Sequence, residues 1–375
     1  MAASFQVILD GSPANDLFYE AMTSIEVEEN ADLPGAIQLS LPVNRSVDGE
    51  LTFVSDDRLR PLAGLAVMAT AENGSSQCIF DGVVLSHKVH LETGATNSTV
   101  QVWGQDASWM MNLEEKVREW VDTTDGAVAD AIFGDYGITP SPENQSDDSP
   151  SHTEDGHSLM QRGSDIQFLR TLARRNGKLC RVVCRNIPGQ RIGYFARPAL
   201  DKEPVVTLIL NDPDKWTVSA LDFEWDVMRP SAVAARQALF NDDTPEGAGV
   251  SVNDSGLPLL DERGLSDFAG SDMSVLLTAP VDDVGELNMR AESLLREAGW
   301  FARCEGEADV SRLKVVLRVG DIVALDGVGS LLSGKYLVWS VRHTIDGQAH
   351  KMKFALVRNA VGPKASGAGP LGGLL

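Results

Sequence analysis

The two ends of this chain carry the same β-rich pattern, and that echo limits the folds open to it more than any other feature. Near the N-terminus stand PLAGLAVMATA, IFDGVVLSHKVHL, a turn, and STVQVWG. Near the C-terminus stand VLRVGDIVALDG, LLSGKYLVWSVRHTI, a turn, and KMKFALVRN. In each, a glycine opens a strand (Gly64, Gly320) and a second glycine starts a hairpin (Gly82, Gly334). The hairpin's first strand carries a late histidine (His90, His343), and a second strand closes the unit. Order and spacing agree as well as composition, so the pattern reads as an internal duplication. Three such chains in a closed ring would present six similar units.

Between and around these repeats the chain divides further. Short apolar or alternating runs separated by Gly, Pro, Asn and Asp make residues 1–105 a β-barrel or sandwich. Residues 106–210 read as an α/β module. Asp106 caps a helix expected through Trp120, and a second helix crosses GAVADAIF. A Pro/Ser/Asp-rich loop spans 139–158, and strands follow at CRVVCR and VVTLIL. In SDIQFLRTLARRNG, Ser164 and Gln167 have capping-box spacing. Phe168, Leu169, Leu172 and Ala173 share one apolar stripe, and Gly177 suits the left-handed residue after the last turn. Residues 211–240 and 300–360 form a second β-domain, ending in a hairpin turned at Asp346-Gly347. The segment 241–299 is an insertion. It holds a long polar loop over 241–272 and an amphipathic helix from a capping pair, Asp283 and Glu286, to about Ala298. Residues 361–375 form a Gly-rich tail read as flexible until something holds it. The expected class is α+β, mainly β, with two antiparallel β-barrels flanking the α/β module.

Composition excludes several functions. At 375 residues the chain calls for two or more domains. It has no apolar run of about 18 residues to span a membrane, and MAASFQVILDGSPAND lacks the basic-then-apolar pattern of a secretory signal. The balance of 32 basic to 54 acidic residues, a net charge of −22, argues against a nucleic-acid reader. Four cysteines, Cys78, Cys180, Cys184 and Cys304, are too few for a disulfide scaffold in a chain of this size. Cys180 and Cys184 with His152 and His157 could be assembled into a zinc site on paper. The Cys-x3-Cys spacing is loose, and packed thiols with solvated histidines are the favoured reading. No G-x-S-x-G, H-E-x-x-H or P-loop pattern appears, and no carboxylate pair stands in a recognisable acid/nucleophile context. Catalytic, metal and cofactor residues are therefore expected to be absent.

Two segments carry a family resemblance. SDIQFLRTLARRNG, holding Ser164, Asp165, Phe168, Leu169 and Gly177, resembles the tail protein D (late control protein) family of contractile-tailed phages. So does VGDIVALDGVGSLLSGKYLVWSVRHTIDGQAHKMKFALVRN, with Gly320, Gly334, Tyr336, Val338, His343, Phe354, Leu356, Arg358 and Asn359. The family is related to the hub domains of type VI secretion and contractile injection spike proteins. The match runs in order over nearly the whole chain, 1 to about 360, and its motifs mark a fold and an assembly role rather than a reaction.

The resemblance implies a trimeric baseplate hub with two tail-tube-like barrels per chain arranged as a pseudo-sixfold ring. Such a hub joins a hexameric tail tube protein to a separate trimeric spike protein. Tape-measure and baseplate wedge proteins are further expected neighbours, with DNA a partner only in passage through the lumen. The place of action is then the virion's tail baseplate, assembled in the bacterial host cytoplasm. Within the tail, Leu371, Leu374 and Leu375 are candidate spike-side contacts. An acidic lumen wall would keep contacts with DNA weak, whereas a solubilising surface would account for −22 equally well. Trp103, Trp109, Trp120, Trp216, Trp225, Trp300 and Trp339 are candidates for interfaces, with core packing the commoner role. The competing functions are a hub of a non-viral injection system, a peripheral receptor-binding tail protein and a tail-associated peptidoglycan hydrolase.

Overall fold

A computed structural model of the chain describes residues 4–71, 74–93, 97–145, 151–154, 158–184, 186–237, 249–281 and 284–363. His157, Asp283, Leu371, Leu374 and Leu375 lie outside the described residues. The chain falls into two compact units. Unit 1 takes Met1–Pro198, Ala308–Val319 and Ser340–Phe354, and unit 2 takes Ala199–Glu307, Gly320–Trp339 and Ala355–Leu375.

The first twelve strands belong to unit 1. They are β1 (Ser4–Leu9), β2 (Ser12–Pro13), β3 (Ser24–Asn30), β4 (Ala36–Pro42), β5 (Gly64–Thr70) and β6 (Ser76–His90), then β7 (Thr99–Asp106), β8 (Glu115–Trp120), β9 (Thr139–Pro140), β10 (Leu159–Ser164), β11 (Leu179–Cys184) and β12 (Arg191–Ala196). Nine more follow: β13 (Thr207–Ile209), β14 (Val218–Trp225), β15 (Ala232–Gln237), β16 (Gly249–Val252), β17 (Ser274–Ala279), β18 (Ala302–Asp309), β19 (Ile322–Asp326), β20 (Gly334–Ile345) and β21 (His350–Arg358). The α-helices are α1 (Asp16–Ala21), α2 (Asp125–Asp135), α3 (Asp165–Arg175), α4 (Leu265–Ala269), α5 (Val284–Ala298) and α6 (Val310–Leu313). The architecture is α+β, mainly β, on a large antiparallel sheet.

In unit 1 the sheet order is β20-β3-β4-β7-β6-β5-β1-β2, every neighbouring pair antiparallel, with β20 contributing Ser340–Ile345. Period-two sequence decides its faces. Ile25, Val27, Ile37, Leu39, Leu41, Val100 and Val102 point inward and are buried. Ser86, Trp103, Gln38, Glu26 and Thr344 stand opposite one another in a row on the other side. No pairing among the described residues closes the sheet on itself, so no closed barrel is seen in the single chain.

Beside this sheet, α2 and α3 share a core that includes Phe133, Ile132, Phe168, Leu169, Leu172 and Phe195. The helix expected from Asp106 to Trp120 is a departure. Asp106 does cap, accepting from Ser108 N at 2.9 Å, but only a 3-10 helix over Ala107–Asn112. EKVREW then extends as β8 and pairs antiparallel with β10. Its alternation puts Trp120 inward and leaves Val117 on the surface, so the cross-strand partner overrides helix propensity.

Unit 2 packs α5 against the sheet β16-β15-β17, burying Val233, Ala235, Leu287, Ala291 and Leu295 together. β15 and β17 are parallel, with β16 antiparallel on the other edge. The segment expected as a loop over 241–272 contains β16 and α4, short elements stabilised by packing rather than by strong local signals. β19 pairs parallel with β13 and antiparallel with β20, so strand–hairpin order recurs at both ends of the chain, β5-β6-β7 and β19-β20-β21. The two repeats differ in detail. Gly334 opens β20, whereas Gly82 lies inside β6, where Gln105 O leaves no space for a Cβ.

Candidate functional site

The motif residues gather in two places, one in each unit. In unit 2 they converge on the side chain of Arg358, which is fully buried at the end of β21. Its guanidinium donates to Leu331 O, to Ser333 O at 3.0 Å and to Asp261 Oδ2 at 3.3 Å. It also lies 4.5 Å from the ring centre of Tyr336. The Tyr336 hydroxyl donates to Leu332 O at 2.8 Å. Gly334 sits at φ +124°, where a Cβ would come within 2.8 Å of Asp261 Oδ2. Asn359 accepts from Leu260 N and donates to Pro258 O, both at 3.0 Å. Arg358 and Asn359 thus fasten two loops, 257–261 and 331–334, to the end of the closing hairpin. Burial pulls the Arg358 pKa down, while Tyr336 and Asp261 beside it favour the charge. Gly320, at φ +88°, donates to Val338 O at 3.0 Å, joining the neighbouring β20 rather than the clasp.

In unit 1 the motif surrounds the start of α3. Ser164 occupies the N-cap position but makes no capping bond; its hydroxyl donates to Asn112 Oδ1 at 2.7 Å. The capping box with Gln167 is therefore not formed. Buried Asp165 receives Lys116 Nζ at 2.6 Å, the Tyr136 hydroxyl at 2.6 Å and Gln161 Nε2 at 2.5 Å. Gln161 in turn accepts from Trp120 Nε1 at 3.1 Å. Burial works against the Asp165 carboxylate, yet these donors hold its pKa below the usual range. Phe168 and Leu169 pack into the shared core of α2 and α3, and Gly177 takes φ +60° just beyond the helix.

A second polar cluster joins the far ends of the same helices. Asp125, wholly buried at the start of α2, lies 2.6 Å from His152 Nε2 and accepts from Arg175 at 2.9 Å and Asn176 at 2.6 Å. His152 thus meets a carboxylate, while Cys180 and Cys184 lie on β11. Among the described residues no group of three His, Cys, Asp or Glu side chains is placed to hold a metal. The four cysteines are free and buried.

His343 belongs to neither gathering. It is buried on the inward face of β20 in unit 1, its Nδ1 3.0 Å from Nε2 of His350 on β21, whereas His90, its counterpart in the first repeat, is exposed beside Glu92. Sequence reasoning missed His350, Asp261 and Lys116. Alternation along HKMKFALVR puts His350 on the same face as Met352 and Phe354, a signal that could have found it. Nothing local marks Asp261, which lies 97 residues from its partner Arg358. Of the tryptophans, Trp120 is buried and Trp109, Trp300 and Trp339 are half-buried, while Trp103, Trp216 and Trp225 are exposed. No helix among the described residues is long and apolar enough to cross a membrane.

The fold that carries these clasps and clusters is that of known tail proteins. The tail protein from Neisseria meningitidis MC58 superposes with a TM-score of 0.66 at 12% identity, over 96% of this chain and 97% of that one. The 43 kDa tail protein of prophage MuSo2 from Shewanella oneidensis gives 0.66 at 15% identity, over 96% and 100%. The E. coli c3393 protein, a type VI secretion component described as similar to the T4 tail proteins gp27 and gp5, gives 0.54 at 10% identity, over 92% and 76%. Residues 2–347 match the family model described as the Alg8 N-terminal domain, and the chain belongs to that family. No curated protein matches the sequence. The resemblance to tail and injection-hub proteins read from the sequence therefore holds at the level of the fold.

Proposed function

We propose that this chain is a structural hub of a contractile phage tail baseplate. Three copies form a ring that joins the hexameric tail tube to a separate trimeric spike and leaves an axial channel for genome ejection. Supporting this is the end-to-end likeness to two whole tail proteins, one of them from a prophage, which covers 96% of this chain at a TM-score of 0.66. In this reading residues 1–105 and the pair 211–240 and 300–360 supply the two tube-like domains, carried by the α/β module at 106–210 and the insertion at 241–299. Sheets left open in one chain complete a ring through neighbouring subunits, which removes exposed strand edges. Ser164, Asp165, Phe168, Leu169, Gly177, Gly320, Gly334, Tyr336, His343, Arg358 and Asn359 act structurally, shaping the units rather than performing chemistry. Leu371, Leu374 and Leu375 meet the spike side. The chain works in the virion without a cofactor and is not an enzyme.

Electron-microscopic reconstruction of the particle containing this chain tests the proposal. Three copies in an axial ring above the spike support it, and a peripheral fibre or lobe overturns it. The likeness to c3393 favours one further reading, the hub of a non-viral injection system. In that case the same axial ring would belong to a particle that carries no genome.

A further inference from the structure

We propose that the loop joining β13 to β14 in unit 2 forms a binding site for a neutral saccharide, with Trp216 as its platform. The loop frames a surface cleft of about 360 Å³, within the size range of small-ligand pockets. Trp216, Leu210 and Val218 supply its apolar lining, and Asn211, Asp212 and Ser219 supply its polar groups. Trp216 keeps 38% of its surface exposed, although the turn around it is firmly held.

Local sequence explains why the cleft keeps its shape. Asn211 takes φ +64°, a left-handed conformation that asparagine tolerates better than most residues, and Asp212-Pro213 opens a turn. Asp212 Oδ1 accepts from Asp214 N at 3.0 Å and Lys215 N at 3.2 Å, and Trp216 N donates to Asp212 O at 3.0 Å. Both ends are tied to neighbouring backbone. Thr217 N donates to Ile209 O at 2.9 Å, and Asn211 Nδ2 donates to Gly327 O at 3.0 Å. A Cβ at Gly327 would collide with Leu210 O, so glycine lets the two loops approach. The platform is therefore preorganised, and binding need not order the loop.

The chemistry of the lining selects the ligand. Among the described residues the second Asp212 oxygen, Asn211 Oδ1 and the Ser219 hydroxyl make no hydrogen bond within the protein. These are acceptors, and only the Ser219 O–H and the remaining Asn211 N–H can donate beside them. Acceptor excess next to an aromatic face suits a sugar: its hydroxyls donate, and its C–H face packs on the electron-rich indole. A proline-rich peptide would stack equally well but brings carbonyls and few N–H donors. The carboxylates of Asp212 and of Asp214, two residues on, disfavour a phosphate-bearing ligand. The cleft lies within one unit of one chain, so the inference goes beyond the assembly reading and does not depend on it.

Isothermal titration calorimetry of the full-length protein with maltotriose, cellotriose and triacetylchitotriose, each at millimolar concentration, tests the site. Saturable binding of at least one is expected, and Trp216→Ala should weaken it by about tenfold or more while the melting temperature holds. Asp212→Asn keeps the acceptor that the turn needs and removes the charge. It should weaken binding by about fivefold, and it carries the test if Trp216→Ala does not fold. Decaproline and inorganic phosphate are the competing probes. No saturable binding of any of the three sugars overturns the proposal, as does an affinity that the folded variant leaves unchanged, or binding of decaproline or phosphate in place of sugar.

Discussion

His343 Nδ1 lies 3.0 Å from His350 Nε2, and both rings are buried on the inward faces of the closing hairpin. Among the described residues His343 Nε2 has no hydrogen-bond partner. A bond between two imidazoles needs one donor and one acceptor, so at least one ring must be neutral. Burial is the main cause that holds both pKa values down, with His350 and Arg318 adding to it at His343. His343 falls well below 6.5, and His350 is pushed down to about 4.

Stability should therefore fall on acidification. The unfolded chain takes up protons at both histidines as pH drops through 6.5, while the folded chain resists until near pH 4 at His350. The contribution is whole above pH 6.5 and is lost between 6.5 and about 4. At about 1.4 kcal/mol per pH unit, His350 alone loses roughly 2 kcal/mol by pH 5. Urea unfolding at pH 7.5 and pH 5 measures it, and His350→Gln should flatten the slope.

Asp125→Asn should destabilise unit 1 strongly. The change leaves Arg175 facing a neutral side chain and deprives His152 of its carboxylate in a buried site, a loss on the order of 3 kcal/mol. Burial raises the Asp125 pKa, but His152, Arg175 and Asn176 outweigh it and hold it below 3.8. Its stabilisation is thus present above pH 3.8 and lost as pH falls through the lower, folded-state value. Thermal unfolding followed by near-ultraviolet circular dichroism should show the lower midpoint at pH 7.

Gly334→Ala should disturb the Arg358 clasp. At φ +124° any side chain is strained, and the new methyl would press on Asp261 Oδ2. A cost of about 1–3 kcal/mol is expected. Limited proteolysis should then cut the loops at 257–261 and 331–334 faster than in the parent chain.

Gly193→Ala tests packing of the α/β module. A Cβ there would lie 2.5 Å from the Phe133 ring, so β12 or α2 must shift, at about 1–3 kcal/mol. Gly134→Ala, inside α2 with nothing within 4 Å of the new methyl, is the control and should hold the midpoint or raise it slightly, since Ala favours the helix over Gly.

Much of the strand and helix pattern was legible in the chain itself. Alternation in SIEVEEN and AIQLSLP sets which side of each strand is apolar, and β3 and β4 form there with that side buried. The α3 stripe and the Asp346-Gly347 turn rest on equally local signals. Asp346 Oδ1 accepts from Gln348 and Ala349 within the same turn. Such features are decided within a few residues, by periodicity and short-range hydrogen bonds.

The sites were less visible. Ser164 has the spacing of a capping box, yet Asn112, 52 residues earlier, takes its hydroxyl. EKVREW becomes a strand only because β10 offers it a backbone partner. Arg358 can be buried because carbonyls of a distant turn and the Asp261 carboxylate surround it. The sequence by itself determined which segments could bury a face and where the chain could turn, since those choices depend on near neighbours. Tertiary structure alone decided which buried polar groups found partners: desolvating a charge or hydroxyl is tolerated only where folding brings a donor or acceptor from far along the chain.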